Sequence, residues 1–539
     1  MRARYWLAVI IVMICTSTIP YSVKAFTHVG TISYGIQVIP EDYSSVVDVE
    51  LEIDVEGSWS VWLAVPKGLD IEKIRVSGSQ VGVAIKPLII DFEENPFYSN
   101  LTVYGVNAAH VTLNYTHPYT LLVGDRKGLF LSPLLMFSTI LDSHVNIEIP
   151  FSPIDILESE PYPVNTHSSQ GKTILEFVNI KSTRIAMILR LDFEGKSVTL
   201  EKGEIRFEVP KLYVNAVEPV LDYVEDIYRT NFTDLFSLDM GIIRFHFYVP
   251  DRLNELPIGG YTPYMGKTMG DIYVNLLYLR GLEGQLELIS LHELVHRMLH
   301  KAGIQPDPLL WVHEGFAEYL STTVAVNFPA AKRRIDDLNT VAKYLKGNYG
   351  FVEDWRPGQR VENIGKYYAA SYAVISQLAE MYGGFKLYQK FFQLLKSETV
   401  KNTADFIRVI SMAAGTNLTS VFKSWGFESA EWPSIPPLLI RARSLSDDIP
   451  WWLQPVSAIA KWFTDMAEAS YEAGRERQAV FYAVLAIALA ENYVISEILI
   501  ITLLIALIMG VLFALKLSKS RNYEYPYDDS YECYTYYSH

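Results

Sequence analysis

Two histidines four residues apart, with an acid beside the first, place the strongest constraint on how this chain folds. The segment HELVH begins at His292 and ends at His296, and apolar residues recur around it at helical spacing. Residues four apart stand on one face of a helix, so both imidazoles can bind one metal ion. Glu293 can reach a water on that ion without binding the ion itself. The pattern predicts a partly buried helix with two metal ligands and a base. The alternative is an exposed helix on which these are ordinary polar residues without a metal.

A second acidic segment follows after a short loop that contains proline. The segment WVHEGFAEYL places Glu314 on a second predicted helix, with 17 residues between it and His296. Catalytic zinc usually has three protein ligands and one open position, so Glu314 is the expected third ligand and one Zn²⁺ per chain is predicted. We expect His300 and His313 not to be ligands.

The paired segments resemble the gluzincin metallopeptidases of the aminopeptidase-N and leukotriene-hydrolase type, whose domain is called peptidase MA-like. The second motif of that family reads W-L-N-E-G-F-A-x-Y; here the spacing is one residue shorter, and His313 stands where Asn is common. The resemblance implies a thermolysin-like zincin catalytic domain with a helical C-terminal lobe. It also implies a peptide or protein substrate, hydrolysed by a zinc-activated water with Glu293 as general base.

The same resemblance implies a tyrosine that supports the oxyanion of the reaction. The helical segment YYAASYAVISQLAEMYGG assigns this role to Tyr368, with Tyr367 and Tyr372 as competitors. Glu318, one helical turn after Glu314, is either an acceptor for the free N–H of a ligand histidine or a plain surface acid.

The segment DIYVNL is predicted to be a strand that binds extended substrate by edge pairing. Asp271, Tyr273 and Asn275 are its candidate substrate-facing residues. Aminopeptidases of the family hold the substrate's free amino group with a Glu, and Gly270 stands at the corresponding distance before the zinc helix. Asp271 is one residue away, which on a strand points it to the opposite face. We therefore expect that this chain is not a conventional aminopeptidase.

The chain of 539 residues is too long for one hydrophobic core and is predicted to be a multidomain α+β protein. Short alternating runs predict an N-terminal antiparallel β-sandwich over residues 26–202, whose histidines at 110, 117 and 144 are expected to be ordinary sheet residues. Residues 203–428 form the predicted catalytic domain, α/β first and then helical. Residues 429–492 are a Pro-rich linker and a helical stalk, where a protein partner is a minority possibility.

Both ends of the chain carry apolar segments that predict export and anchoring. Residues 1–25 have a charged start, an apolar core and small residues near Ala25, as secretory signal peptides do, although an uncleaved anchor is an alternative. Residues 493–515 include 18 consecutive uncharged residues, long enough to cross a bilayer. Lys516, Lys519 and Arg521 place the Tyr-rich tail of residues 516–539 in the cytoplasm.

Composition excludes some classes of protein and some kinds of site. The net charge of −15 leaves no basic face for nucleic acid. Cys15 lies in the signal segment and Cys533 in the tail, so the mature external part has no thiolate ligand. Four N-x-T triplets fit exposed external positions and are candidate glycosylation sites. They begin at Asn100, Asn114, Asn231 and Asn417.

Together these features predict a single-pass cell-membrane protein with most of the chain outside the cell and zinc metallopeptidase activity. The alternative is a catalytically weak or inactive surface binding or scaffold protein of the same fold. Glu293 argues against that alternative, because a purely structural zinc site has no use for a base.

Overall fold

The computed structural model describes residues 29–498 and 502, with gaps at 79, 92, 153, 181–182, 195, 430–434, 451–452 and 473–474. The predicted signal peptide and cytoplasmic tail lie outside the described residues. So does the predicted membrane span, apart from residues 493–498 and 502. No helix within the described part of the chain is both long and apolar enough to cross a membrane.

The architecture is mixed α+β, with sheets in the N-terminal part and helices after them, as predicted. The strands of the N-terminal part are β1 Gly30–Val38, β2 Ser45–Ile53, β3 Ser58–Pro66, β4 Arg75–Gly78, β5 Gly82–Ile90, β6 Glu93–Val106, β7 Ala109–His117, β8 Leu121–Val123, β9 Asp125–Leu131, β10 Leu141–Ile149, β11 Asp155–Glu160, β12 Asn165–Ser169, β13 Lys172–Val178 and β14 Ala186–Glu194.

These strands form a seven-stranded, a four-stranded and a three-stranded sheet. Their orders are β12-β13-β10-β1-β2-β7-β4, β11-β14-β9-β8 and β3-β6-β5. Alternation in the sequence sets the register: in β2, Val47, Val49 and Leu51 are buried while the residues between them are not. Side chains of all three sheets meet in one hydrophobic core, as the sheets of a sandwich do.

The prediction of a purely antiparallel N-terminal domain is wrong at one pair of strands. β1 and β10 run parallel, with Ile32 opposite Ser143 and Tyr34 opposite Val145. Parallel neighbours need a long connection, and the strands β2 to β9 provide it here. The sequence pattern shows which residues alternate but not which distant strand becomes the neighbour.

A five-stranded sheet follows and supports the candidate site. Its members are β15 Ser197–Lys202, β16 Ile205–Pro210, β17 Ile243–Tyr248, β18 Gly260–Tyr261 and β21 Ile272–Asn275, and a small hairpin of β19 Tyr264–Met265 and β20 Thr268–Met269 lies between the last two. The order is β15-β16-β17-β21-β18. β15 pairs with β16, so the boundary predicted after residue 202 falls inside a hairpin of this sheet.

Twelve α-helices are described in the chain. They are α1 Val214–Ile227, α2 Thr233–Phe236, α3 Gln285–Lys301, α4 Pro306–Val324, α5 Pro329–Leu345, α6 Ile364–Tyr382, α7 Phe385–Leu394, α8 Thr403–Ala414, α9 Thr419–Ser424, α10 Ile435–Asp447, α11 Gln454–Glu472 and α12 Glu476–Glu491. The helices predicted around HELVH, around WVHEGFAEYL and from residue 367 are confirmed as α3, α4 and α6.

The chain divides into two compact units, residues 1–401 and 402–539. The first holds all the sheets and α1 to α7. In the second, the helical pair predicted over about 456–491 is confirmed as α11 and α12, and Ala467, Ala483 and Ala486 are buried among the helices. Small side chains let helix axes approach closely, which explains the alanine-rich pattern of this segment.

Candidate metal centre

Two helices of the first unit present the predicted ligands to each other. α3 is fixed by Leu291, Leu294 and Val295, which are fully buried, and its opposite face carries the two histidines of HELVH. α4 is fixed by fully buried Trp311 and Phe316. Both helices lie in the interior, and the polar residues His292, His296 and Glu314 meet in a shared space between them.

Three ligand atoms meet in this space. The Nε2 atoms of His292 and His296 are 3.1 Å apart. The Oε2 atom of Glu314 lies 3.2 Å from Nε2 of His292 and 3.5 Å from Nε2 of His296. These three residues are the ones that the sequence predicted as ligands, and together they form a group that could hold a metal ion.

The separations fit a small tetrahedral cation. With bonds of about 2.0–2.1 Å to nitrogen and oxygen, ligand atoms around tetrahedral zinc stand about 3.3 Å apart. The three measured separations bracket that value. Oε2 of Glu314 is buried and accepts no well-aligned hydrogen bond from the described residues. A buried carboxylate oxygen without such a bond is costly, and a cation between the three atoms would remove the cost.

Charges in the group are strongly coupled. Burial lowers the pKa of His292, but its contact with Glu314 and the nearby charges of Glu318 and Glu293 outweigh burial and raise that pKa to about 9. Burial raises the pKa of Glu314, yet the charges of His296 and His292 hold it well below its usual range. The carboxylate is therefore ionised, as a metal ligand must be.

Glu293 lies beside the three ligand atoms but is not one of them. Its side chain is buried, and burial raises its pKa while the two histidines lower it. The Thr262 hydroxyl donates a hydrogen bond to Oε2 of Glu293 at 3.0 Å. A buried carboxylate with a raised pKa and one fixed oxygen has the properties of a general base.

His313 lies outside the group of three and contacts one of its members, His296. Its Nε2 donates to the carbonyl of Ile304 at 3.0 Å, which leaves Nδ1 as an acceptor. That Nδ1 lies 3.3 Å from Nδ1 of His296. Burial, followed by the charge of His296, lowers the pKa of His313 to about 3, so the ring stays neutral and can accept. Sequence reasoning missed this role, because it depends on the chain bringing residue 304 behind the helix.

Glu318 is buried and faces the site, so it is not a plain surface acid. Its Oε1 lies 3.9 Å from Nδ1 of His292, which is longer than a hydrogen bond. Its direct partner is Arg334 of α5, whose Nε donates to Oε2 at 2.9 Å and whose Nη2 donates to Oε1. Arg334 was not anticipated from the sequence, since it comes from a helix without any motif.

Tyr368 is the tyrosine of α6 that faces the carboxylates. The charge of Glu314, then burial and the charges of Glu318 and Glu293, raise the pKa of Tyr368 well above its usual value. The Arg334 guanidinium lies 5.6 Å from the centre of its ring. Tyr367 instead packs on Phe351 and Trp355. The pKa of Tyr372 is raised by burial and by the charges of Tyr319 and Glu318.

A glycine allows α4 and α6 to approach closely. A Cβ atom on Gly315 would lie 2.6 Å from the carbonyl oxygen of Ser371 and 2.8 Å from Cγ1 of Ile375. Real Cβ atoms essentially never lie this close to non-bonded atoms, so only glycine fits here without a shift of the helices. The Gly of the EGFA segment thus lets the helix that carries Glu314 lie directly against the helix that carries Tyr368.

The prediction that DIYVNL offers a free edge to substrate is wrong. β21 is paired on one side with β17 and on the other with β18. Asn275 is fully buried; it accepts from Leu277 N–H and donates to the Ile258 carbonyl. Asp271 contacts Arg297 at 3.3 Å and His246 at 3.1 Å. Tyr273 stacks on Tyr261, with ring centres 4.9 Å apart.

The edge position belongs to β18 instead. A Cβ atom on Gly260 would lie 3.0 Å from Cγ of Glu293, so this strand passes directly over the base. Thr262, which holds Glu293, follows the strand at once. The sequence did not point to this segment, because two residues are too few to show the alternation of a strand.

Comparison with known proteins adds nothing to this geometry. No protein-family model matches the chain, and no curated protein matches it either.

Proposed function

We propose that the protein is a zinc-dependent peptidase with a thermolysin-like catalytic domain of the gluzincin type. The observation that carries the proposal is the meeting of three ligand atoms at tetrahedral spacing beside a buried carboxylate that does not belong to them. A structural metal site needs the first feature only. The second feature is what hydrolysis requires.

His292, His296 and Glu314 would hold the zinc ion, which supplies Lewis acidity toward a water molecule and a substrate carbonyl. Glu293 accepts the proton of that water at its free carboxylate oxygen and passes it to the leaving amine. Thr262 keeps the other oxygen of Glu293 engaged. The Tyr368 hydroxyl, which keeps its proton because its pKa is raised, donates to the developing oxyanion.

Extended peptide would pair with the edge strand β18. Main-chain pairing at an exposed edge is a common way to bind peptides without regard to their side chains. The nearness of Gly260 to Glu293 would bring the bound peptide close to the base. Glycine here keeps the space above the base open.

The enzyme is proposed to accept peptides whose amino terminus is blocked. Asp271 is engaged by Arg297 and His246, so it is poorly placed to hold a free amino group. Gly260, Tyr261 and Thr262 of the edge segment carry no carboxylate. N-acetylated and free peptides of one sequence should therefore be cleaved at similar rates. Strict dependence on a free amino group, lost in Asp271→Ala, would contradict this part of the proposal.

Metal content tests the ligand assignment. The purified full-length protein should contain about one zinc ion per chain, and His296→Ala should lose most of it, because catalytic zinc is bound by three protein ligands. His300→Ala, on the same helix but outside the group of three, is the matched control and should keep the metal. Equal zinc in wild type and His296→Ala would place the metal elsewhere.

Turnover on a peptide library tests the catalytic assignment. Glu293→Gln removes the base and keeps the shape of the side chain, so zinc content should stay at the wild-type level. Cleavage should fall by about 10²–10⁴-fold, the usual contribution of a general base. A wild-type protein that binds zinc and cleaves no peptide would support a surface binding or scaffold protein instead.

We also propose that the peptidase acts outside the cell, anchored by the apolar segment near the C-terminus. This rests on the sequence alone, from the charged and apolar start of the chain and the uncharged run before Lys516.

A further inference from the structure

A cavity of about 400 Å³ lies between the N-terminal sheets and the turn that precedes α3, and none of the residues named for the metal centre lines it. Polar and apolar residues line it. They include Arg184, Arg280, His117, Phe97, Leu277 and Tyr278. Among the described residues that line the cavity there is no Asp or Glu. Two guanidinium groups thus share one partly enclosed space.

Both guanidinium groups are held by neutral acceptors. Arg280 donates to the carbonyl of Leu131 at 2.7 Å and to that of Ser132 at 3.3 Å. Arg184 donates to the same Ser132 carbonyl at 2.9 Å. Neither arginine forms an ion pair with a carboxylate in the part of the chain that the structure describes. One carbonyl oxygen therefore receives hydrogen bonds from two cations.

The other polar groups of the cavity do not balance this charge. Nε2 of His117 lies 3.3 Å from Nη2 of Arg280 and 3.2 Å from the hydroxyl of Tyr98. Burial and the two arginines lower the pKa of His117 to about 3, so the imidazole is neutral. Burial, followed by the charge of Arg184, lowers the pKa of Arg280 to about 9. Burying charge without a counter-ion is unfavourable, and an anion would relieve it.

We propose that this cavity binds a small organic oxyanion, with a phosphate or carboxylate group between Arg184 and Arg280. The planar guanidinium presents paired N–H groups that match the oxygens of both anions. A water molecule occupies roughly 30 Å³ of liquid volume, so a bare inorganic anion would leave much of the cavity empty. The apolar wall at Phe97 and Leu277 takes the body of the ligand.

The ligand would connect two parts of the first unit. Arg280 ends the helical turn Leu276–Arg280 that leads from β21 to α3. Ser132 directly follows β9 and Arg184 lies just before β14, so both belong to the N-terminal part of the unit. An anion bound by both arginines would stabilise the junction between the sheets and the segment before the metal-binding helix.

Thermal unfolding of the full-length protein tests the proposal. The protein is dialysed against a metal chelator into chloride buffer, then titrated with inorganic phosphate, benzoate or phenyl phosphate at constant ionic strength. A saturable rise of the unfolding temperature is expected, because a ligand that binds only the folded state stabilises it. A rise with the phosphates alone would identify the bound group as phosphate, and a rise with benzoate alone would identify it as carboxylate. A rise with both would show that the cavity accepts either group. Phenyl phosphate should act at a roughly tenfold lower concentration than inorganic phosphate, since its ring is buried.

Arg184→Gln is the decisive variant, because it keeps a donor for the Ser132 carbonyl and removes one charge. It should lose the saturable rise and, without added anion, unfold at a temperature no lower than wild type. Arg190→Gln is the matched control: Arg190 lies on β14, is exposed and pairs with Asp155. It should keep the rise. If Arg184 were only structural, Arg184→Gln would unfold at a lower temperature than wild type at every anion concentration. Its unfolding temperature would still rise with added anion, and that result would overturn the proposal.

Calorimetric titration of phenyl phosphate gives a second measurement that needs no cavity variant. One saturable site per chain is expected in the wild type and in His296→Ala alike. Absence of binding in the wild type would overturn the proposal. Binding lost in His296→Ala would assign the anion to the metal centre, which would overturn it as well.

Discussion

At the scale of single residues, the three candidate ligands are held by residues outside their group. His313 accepts from His296 and is itself fixed by the Ile304 carbonyl. This chain of contacts sets which nitrogen of His296 carries its proton, and it leaves Nε2 as the nitrogen that a metal ion would take. Arg334 plays a similar part for Glu318, which it holds by two hydrogen bonds.

His313→Ala should weaken zinc binding without removing a ligand. Loss of such an outer partner typically lowers metal affinity about 10–100-fold. Competition with a chromogenic chelator measures the change. His300→Ala, which removes a histidine of α3 that is not one of the three ligands, should bind zinc as the wild type does. Equal affinity of His313→Ala and wild type would mean that the contact with His296 does not support the metal site.

The roles of the neighbouring tyrosines can be separated by removing one hydroxyl at a time. Tyr368→Phe should lower kcat by about 10²–10³-fold, as loss of an oxyanion donor does, with KM little changed. Tyr367→Phe is the matched control, because Tyr367 is on the same helix as Tyr368 and its ring packs on Phe351 and Trp355. A larger loss in Tyr367→Phe than in Tyr368→Phe would reverse the assignment.

The grouping of His292, His296 and Glu314 could be predicted because it depends on only two helices. Spacing of four places His292 and His296 on one face whatever the rest of the chain does. Thr262, His313 and Arg334 could not be predicted, since each depends on which distant segment folds against the site. Glu318 lay between these cases: its position was anticipated, while its partner was not.

At the scale of elements, the contact between α4 and α6 brings Glu314 and Tyr368 together. Gly315→Ala should push these helices apart, because the new Cβ atom would clash with the Ser371 carbonyl, which is backbone and cannot yield alone. Overpacking of this kind typically costs about 1–3 kcal/mol of the free energy of unfolding. Denaturant unfolding measures the loss, and peptide turnover should fall with it.

Gly365→Ala is the matched control for that prediction. Gly365 lies on α6, and a Cβ atom there meets only a side-chain oxygen at 3.4 Å. Since alanine favours helix more than glycine does, this variant should be as stable as wild type or up to about 1 kcal/mol more stable. A loss in Gly365→Ala equal to that in Gly315→Ala would point to a general sensitivity of α6 to substitution.

Element types followed from the sequence more readily than element neighbours did. The 3.6-residue period identified α3, and the short alternating runs of the N-terminal part identified strands such as β2. The parallel pairing of β1 with β10 and the edge position of β18 both depend on which segments meet. Alternation fixes the two faces of a strand but says nothing about its neighbours.

At the scale of the whole molecule, the sequence predicts that the two ends of the chain lie on opposite sides of a membrane. Protease added to intact cells should remove the main body and spare a tag placed after His539, because the cations from Lys516 onward retain the tail inside. Cells permeabilised beforehand are the control and should lose the tag too. A body protected in intact cells would reverse this topology.

Stability of the whole molecule should depend on pH through a buried histidine of the N-terminal sheets. His117 is faced by Arg184, Arg280, Tyr98 and Thr120, and its pKa is lowered to about 3. In the unfolded chain an ordinary histidine binds a proton near pH 6.5, so the unfolded state holds more protons between about pH 3 and 6.5. The contribution of His117 to the free energy of unfolding should therefore be fully present above about pH 6.5. Below that pH the free energy of unfolding should fall by up to about 1.4 kcal/mol per pH unit.

Urea unfolding between about pH 4 and 6.5 measures this contribution, because the midpoint can be followed at each pH. His117→Gln cannot take up the proton. Its free energy of unfolding should therefore fall less steeply with pH, by up to the slope of about 1.4 kcal/mol per pH unit that one proton contributes. His144→Gln, which removes an exposed histidine of β10, is the matched control and should keep the wild-type slope. If His117→Gln and wild type lost stability equally as pH falls, His117 would not be the group that takes up the proton on unfolding.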